Sequence, residues 1–185
     1  GRQYFSPVFN TQDTTVNIPM ADAEITVIQG GQPVDGINLY VFTPSGSYLG
    51  ITGATDATGK RTFRLPAGSY RFRADYLGNQ YWSPEETLVA DQLKPITINT
   101  GGGSFTLTVL KGDSDPLTGA KCYVFNATGS YLGLSKTTDN SGQTLYRLAD
   151  GNYKFRIDYL GSQFWTEVVT VPATMSLTAL IGHRS

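Results

Sequence analysis

Apolar and polar residues alternate with a period of two along most of this chain. The clearest run covers 70–76, where Tyr70, Phe72, Ala74 and Tyr76 fall on one side and Arg71, Arg73 and Asp75 on the other. A matching run covers 153–159, with Tyr153, Phe155, Ile157 and Tyr159 opposed to Lys154, Arg156 and Asp158. Side chains of a strand point alternately to its two faces, so this pattern predicts strands with one buried and one wet face. Shorter runs of the same kind predict strands near Ala23–Gln29, Ile37–Thr43, Tyr48–Ala54, Arg61–Leu65, Ser69–Tyr76, Tyr81–Val89 and Pro95–Asn99. No window carries the 3.6-residue period of an amphipathic helix, so nothing longer than a single helical turn is expected.

The breaks between these runs have identifiable causes. Asp56-Ala57-Thr58-Gly59 and Asp139-Asn140-Ser141-Gly142 each supply a side chain that caps its own backbone and a Gly that accepts positive φ. Pro66-Ala67-Gly68 and Ala149-Asp150-Gly151 punctuate the next connection, and Leu65 and Leu148 just ahead of them are expected in the core.

The whole pattern is duplicated. Residues 33–82 align without a gap to residues 116–165, an offset of 116 − 33 = 83, with 25 identities over 50 positions. Tyr40-Val41-Phe42 returns as Tyr123-Val124-Phe125, Gly46-Ser47-Tyr48-Leu49-Gly50 as Gly129-Ser130-Tyr131-Leu132-Gly133, and Asp75-Tyr76-Leu77-Gly78 as Asp158-Tyr159-Leu160-Gly161. A third, partial copy opens the chain, where Gly1 to Pro7 match Gly78 to Pro84. A period of this length marks an array of supersecondary units. The expected organisation is a partial repeat at 1–20, a first β-sandwich repeat at 21–100 and a second at 101–185. Tyr4 to Phe9 and Thr15 to Ile18 are expected to be the last two strands of a preceding or neighbouring unit, which alone would carry unpaired backbone. Gly101-Gly102-Gly103 leaves open whether the two repeats pack rigidly or flex there, although three successive Gly favour freedom.

Composition narrows the chemistry. Charged residues make up 16% of the chain, below the roughly 25% of an average soluble domain. The net charge of −1 gives no electrostatic footprint for nucleic acid or for an anionic membrane, and no apolar run of bilayer length occurs. One Cys and one His supply neither a disulfide framework nor a Cys/His zinc site. The 23 Thr and 11 Tyr suit an exposed all-β module, which points to an extracellular or cell-surface setting.

At this point the residues resemble a family, the carboxypeptidase regulatory-like or transthyretin-like β-sandwich repeats of prokaryotic surface proteins. The likeness rests on Pro33-x-x-Gly36 leading into Leu39-x-Val41, on Thr55-Asp56-x-x-Gly59, and on Phe63-x-Leu65 followed by Gly68-x-Tyr70-x-Phe72; the second repeat offers Pro116, Gly119, Thr138, Asp139, Gly142, Tyr146, Leu148, Gly151, Tyr153 and Phe155 at the matching places. It implies an all-β fold: two tandem seven-stranded Ig-like or transthyretin-like β-sandwiches preceded by a β-hairpin-like partial repeat. It also implies non-catalytic spacers, stalks or binding units. Phe105 to Lys111 with Pro116-Leu117-x-Gly119 are similar to the opening of Cna B-type pilin and adhesin domains, which imply a Lys to Asn crosslink. Lys111 could be the amine, but the last strand, Met175 to Leu180, has no Asn or Asp, so no crosslink is expected.

Each candidate site has a plain structural alternative. Asp56 and Asp139 could serve calcium, yet each turn offers one carboxylate where about six oxygens are needed, so turn capping is preferred. Asp75 and Asp158 with the neighbouring Arg71, Arg73 and Arg156 read as a same-face charge ladder, of little energetic weight when exposed. Trp82 and Trp165, each beside Tyr81 or Phe164, could stack sugar rings. The doublet recurs as Tyr4-Phe5 near every connection, so core or inter-unit packing is favoured. Tyr48 and Tyr131 in the Gly-Ser-Tyr-Leu-Gly loops are the next candidates. Cys122 replaces Leu39 of the first repeat and is expected buried and unreactive. His183 is expected in solvent, and the Asn126-Ala127-Thr128 sequon has no counterpart in the first repeat. No catalytic, cofactor or metal residues are expected. The expected function is a structural module of a stalk, fibre or surface filament, whose partners are neighbouring repeats or identical subunits. The alternative is a carbohydrate-binding or adhesion module, with glycans as partners, that uses the surface aromatics.

Overall fold

The computed structural model describes Gln3 and residues 17–112 and 114–182; alternation drives these described residues into eighteen short strands, and none of them is helical. Of the partial repeat, residues 1–2 and 4–16, Tyr4 and Phe5 among them, lie outside the described residues, as does His183. Two compact units emerge, one of 1–28, 33–75 and 80–98, the other of 29–32, 76–79 and 99–185.

The first repeat supplies β1 (Met20–Gln29), β2 (Gln32–Pro33), β3 (Asn38–Phe42), β4 (Tyr48–Ala54), β5 (Lys60–Pro66), β6 (Gly68–Tyr76), β7 (Asn79–Trp82), β8 (Glu86–Leu88) and β9 (Leu93–Asn99). They form a four-stranded sheet, β2-β1-β5 with β9 also on β1, and a five-stranded sheet, β4-β3-β6-β7 with β8 also on β6. The second repeat supplies β10 (Gly103–Lys111), β11 (Asp115–Pro116), β12 (Lys121–Asn126), β13 (Tyr131–Thr137), β14 (Gln143–Leu148), β15 (Gly151–Tyr159), β16 (Ser162–Trp165), β17 (Val169–Val171) and β18 (Ser176–Ile181). It repeats the arrangement, with β11-β10-β14 and β18 in one sheet and β13-β12-β15-β16 and β17 in the other. Within each repeat the two sheets face each other as a sandwich, and aromatic rings stack across the interior: Phe63 on Phe72 at 6.3 Å and Phe105 on Phe155 at 5.1 Å. Leu65 and Leu148 are buried as expected. Each such side chain taken fully out of water contributes about 1.5–3 kcal/mol.

Two differences from the expected seven strands have physical reasons. The stretch 81–89 is not one strand but two, β7 and β8, broken at Ser83-Pro84-Glu85. Pro84 has no N–H to donate to a ladder, and Ser83 instead binds Phe72 twice, through its backbone N–H to the carbonyl (2.8 Å) and its hydroxyl from the Phe72 N–H (3.0 Å). Thr166 does the same to Phe155 at 3.0 Å in both bonds. The two-residue strands β2 and β11 are the other additions, too short to leave a periodic signal.

The Thr-Asp turns hold each sandwich from inside and outside. Buried Thr55 accepts from Ile37 N–H at 2.9 Å and donates to the Val34 carbonyl at 2.8 Å. Thr138 accepts from Ala120 N–H at 3.0 Å and donates to the Leu117 carbonyl at 2.5 Å. Next door, Asp56 Oδ1 accepts from the Thr58 hydroxyl and from the N–H groups of Thr58 and Lys60, which lowers its pKa, the hydroxyl bond weighing most. Asp139 caps Ser141 and Gln143 in the same way. Gly59 and Gly142 sit at φ 72° and 71°, and a Cβ would meet Pro33 at 2.6 Å or the Val109 carbonyl at 2.5 Å. Only Gly fits there.

Candidate functional site: an aromatic and guanidinium cluster on the outer sheet face

Pleating sends Leu39, Val41, Phe72 and Ala74 into the first core and leaves Tyr40, Phe42, Arg71, Arg73 and Asp75 on the opposite face of the five-stranded sheet. Register then places Tyr40 opposite Arg73, Phe42 opposite Arg71 and Asn38 opposite Asp75. Between Val41 and Phe42 the β3–β4 pairing slips, so that Tyr48 rather than Gly50 lies opposite Phe42. Gly50, at φ 74°, accommodates this bulge. The result is a group of rings: Tyr48 edges onto Tyr40 at 5.9 Å, and Phe42 tilts against Tyr48 at 5.4 Å and against Trp82 at 4.7 Å.

Arg73 lies at the centre. Its guanidinium carbon is 4.7 Å from the Tyr40 ring, 5.1 Å from Phe42 and 5.6 Å from Trp82. Asp75 pairs with it through one hydrogen bond, Nη2–H to Oδ2 at 3.0 Å, while Nε lies 2.7 Å from Oδ1 outside hydrogen-bonding geometry. Arg71 covers the Trp82 ring at 5.0 Å. The side chain of Arg73 is only 19% exposed. The charge ladder expected on this face is therefore a partly buried ion pair held among rings, where cation–π attraction exceeds the roughly 0.5–1 kcal/mol of an exposed site.

The second repeat rebuilds the cluster around Arg156, with Lys154 in the place of Arg71. Tyr123, Arg156 and Trp165 stand in one row across three strands, since Arg156 pairs with Tyr123 on one side and Trp165 on the other. The guanidinium sits 4.5 Å from Tyr123, 5.5 Å from Phe125 and 6.0 Å from Trp165, and binds Asp158 at 2.9 and 3.1 Å. The ring separations, 5.9, 5.4 and 4.8 Å, match those of the first repeat.

Of the residues singled out from sequence, Tyr48, Trp82, Tyr131 and Trp165 belong to these clusters. Tyr81 and Phe164 are half-buried, and Phe164 packs against the second core. Phe164 and Trp165 also border an open groove of about 250 Å³ with Ile157, Leu177, Leu180 and Ile181. Trp82 and Trp165 lie on the outer sheet face rather than in the core, and Trp165 is 51% exposed. Sequence reasoning missed Tyr40, Phe42, Tyr123 and Phe125 as cluster members. Their signal was the repeated Tyr-Val-Phe, whose two rings share the face opposite the central Val.

The remaining candidates resolve individually. Cys122 is fully buried, and that burial, with a smaller push from Asp158, raises its thiol to about 12. Asn126 uses its side-chain carbonyl to cap its own turn, accepting from Thr128 and Ser130. Lys111 is exposed at the end of β10, opposite Ile181 of β18. Among the described residues no group of three or more His, Cys, Asp or Glu side chains converges, and no helix is long and apolar enough to cross a membrane.

No family model matches the chain, and no curated protein does. Among solved structures it is similar to the minor pilin GBS52 of Streptococcus agalactiae, at 17% identity and TM-score 0.47 over 87% of this chain and 94% of that one. It is also similar to the shaft pilin SpaA of Lactobacillus rhamnosus GG, at 14% identity and TM-score 0.43 over 87% of this chain and 96% of that one. A third likeness is the TIE protein of Bacillus anthracis, at 17% identity and TM-score 0.44 over 88% of this chain. The chain spans about a third, 34%, of that protein's length. The carboxypeptidase regulatory-like resemblance rests on its motif residues alone.

Proposed function

We propose that this chain is a non-catalytic structural repeat module of an extracellular stalk, fibre or surface filament, joined to neighbouring repeats or identical subunits by end-to-end or strand-complementing contacts. One observation carries the reading: the duplication conserves core, turns and outer-face cluster together, down to ring separations that agree within 0.1 Å. Two copies of a rigid unit on one chain suit a load-bearing array, where each unit needs the same stability and contacts its neighbours. Tyr4 and Phe5 of the partial repeat belong to the same reading as inter-unit contacts.

The alternative, a carbohydrate-binding module, is favoured by the exposure of Tyr48, Tyr131 and Trp165, at 49%, 49% and 51%. Sugar stacking wants a flat, accessible platform, whereas these rings are inclined to their neighbours by 48–70°, and the Arg156 guanidinium lies 6.0 Å from the Trp165 ring. The experiment is immunogold labelling of intact source cells with an antibody to this chain, beside a glycan panel read by Trp fluorescence. Labelled surface filaments with unchanged fluorescence are expected. Labelling confined to the cell interior overturns the proposal, and a glycan that quenches Trp165 selects the alternative.

A further inference from the structure

The second unit contains two versions of one turn in two different situations. The Tyr76–Asn79 turn belongs to that unit, and Leu77 at its tip packs against the unit's core. Gly78 beside it comes within 3.2–3.7 Å of Leu132 and Asn126, measured from the position a Cβ would take. The companion turn, Gln29–Gln32, is held there as well, with Arg147 donating to the Gln29 carbonyl at 2.8 Å and Gly30 N–H to the Gly101 carbonyl at 3.3 Å. The duplicate of the first turn, Tyr159-Leu160-Gly161-Ser162, has the same backbone, with φ 47° at Leu160 against 48° at Leu77. Yet Leu160 is 86% exposed, and nothing lies within 4 Å of Gly161 or of Gly112, the counterpart of Gly30.

A lone surface Leu is ordinary, but this one breaks a local rule. Positive φ at the tip of a two-residue hairpin favours Asn, Asp or Gly, and a branched apolar side chain there costs free energy without a local return. At Leu77 the return is visible, because the side chain is seated among apolar atoms. At Leu160 the same strained tip presents its side chain to water. A departure from local preference with no local compensation marks a functional position.

We propose that the Leu160-Gly161 tip, with Lys111-Gly112 beside it, is a docking knob for a second copy of this chain, and that it seats on that copy's first unit as Leu77 seats in the second. The seat follows from the repeat alignment. Leu132, Asn126 and Arg147 correspond to Leu49, Thr43 and Arg64; the Arg64 side chain is 62% exposed and paired with Asp22 at 3.3 Å, a weak surface pair that it would exchange to reach the Lys111 carbonyl as Arg147 reaches Gln29. Knob and seat lie on different units, so the contact is head-to-tail and propagates rather than closing on itself. This deepens the fibre reading above and rests on it.

The test is sedimentation velocity of the 185-residue chain up to about 1 mM, the effective concentration of modules joined by a short linker. The wild type is expected to grow into dimers and longer species with concentration. Leu160→Asp and Leu49→Asp should each stay monomeric alone, while their mixture should give dimers and stop there, since each retains one working end. Leu160→Asn supplies the folding control: Asn suits the turn, so this variant should melt at or above the wild type and still fail to associate. A wild type that is monomeric throughout, or association that survives Leu160→Asn, overturns the docking. Filaments seen by immunogold alongside a monomeric wild type would leave the fibre reading standing and reject this contact alone.

Discussion

Replacing Thr138 by Val tests whether the buried Thr-Asp turn is a determinant of stability or only a convenient place to reverse the chain. Val matches Thr in shape and favours strands, so packing and propensity alone forecast little change. The hydroxyl, however, links Ala120 N–H (3.0 Å) to the Leu117 carbonyl (2.5 Å) in a position 3% exposed. Stranding a buried polar group costs about 1–3 kcal/mol, so loss of both bonds should cost about 2–5 kcal/mol. With a urea m-value of about 1–2 kcal/mol/M for a unit this small, the midpoint should fall by about 1–5 M with m unchanged. A Trp82→Phe background leaves Trp165 as the reporter of the second unit. The adjacent, exposed Thr137→Val is the control and should stay within about 0.5 kcal/mol. A Thr138→Val variant as stable as that control would refute the reasoning.

Other consequences are as direct. The Cys122 thiol, pushed up to about 12 from an ordinary 9.0, is protonated in the folded unit and ionises more easily once unfolded. The stability it contributes is complete below pH 9 and is lost as pH climbs toward 12, so denaturation midpoints should drop over that window and drop less in Cys122→Ala. The native thiol should resist iodoacetamide at pH 8 and react fully in denaturant. Gly142→Ala and Gly133→Ala share nearly the same φ, 71° and 77°, but only the first drives a Cβ into backbone. Thermal melts should show a loss of about 1–2 kcal/mol at Gly133 and clearly more at Gly142. Arg156→Lys keeps the charge yet forfeits the two-pronged grip on Asp158 and the flat stacking on Tyr123, and should lower stability by about 1 kcal/mol at moderate salt, measured by urea denaturation.

The strands were legible in the sequence because alternation and a gapless duplication reinforce each other: whatever one copy left ambiguous, the other repeated. Leu65, Leu148, Cys122 and the Asp56 and Asp139 caps follow from residue type and position alone. The outer-face cluster was harder to read. Leu39-Tyr40-Val41-Phe42 is an unbroken apolar run, and such a run does not say which side chains face the core. Tyr48 reaches Phe42 only through a bulge that moves the register, and Arg73 looks solvated until the rings around it are in place. The split at Ser83-Pro84 was signalled by the proline, but the hydroxyl that mends the ladder was not.

Within the second repeat, β10 and β18 run parallel, paired from Thr106 with Ser176 through Lys111 with Ile181. The first and last strands therefore point the same way, and a pull on the two ends of this repeat slides one past the other. The six rungs between them are then loaded together, in shear, instead of opening singly as in a zipper, and all must fail at once. The hydrogen bonds are ordinary, but the direction of that pair makes the sandwich resist extension far more than its equilibrium stability alone implies.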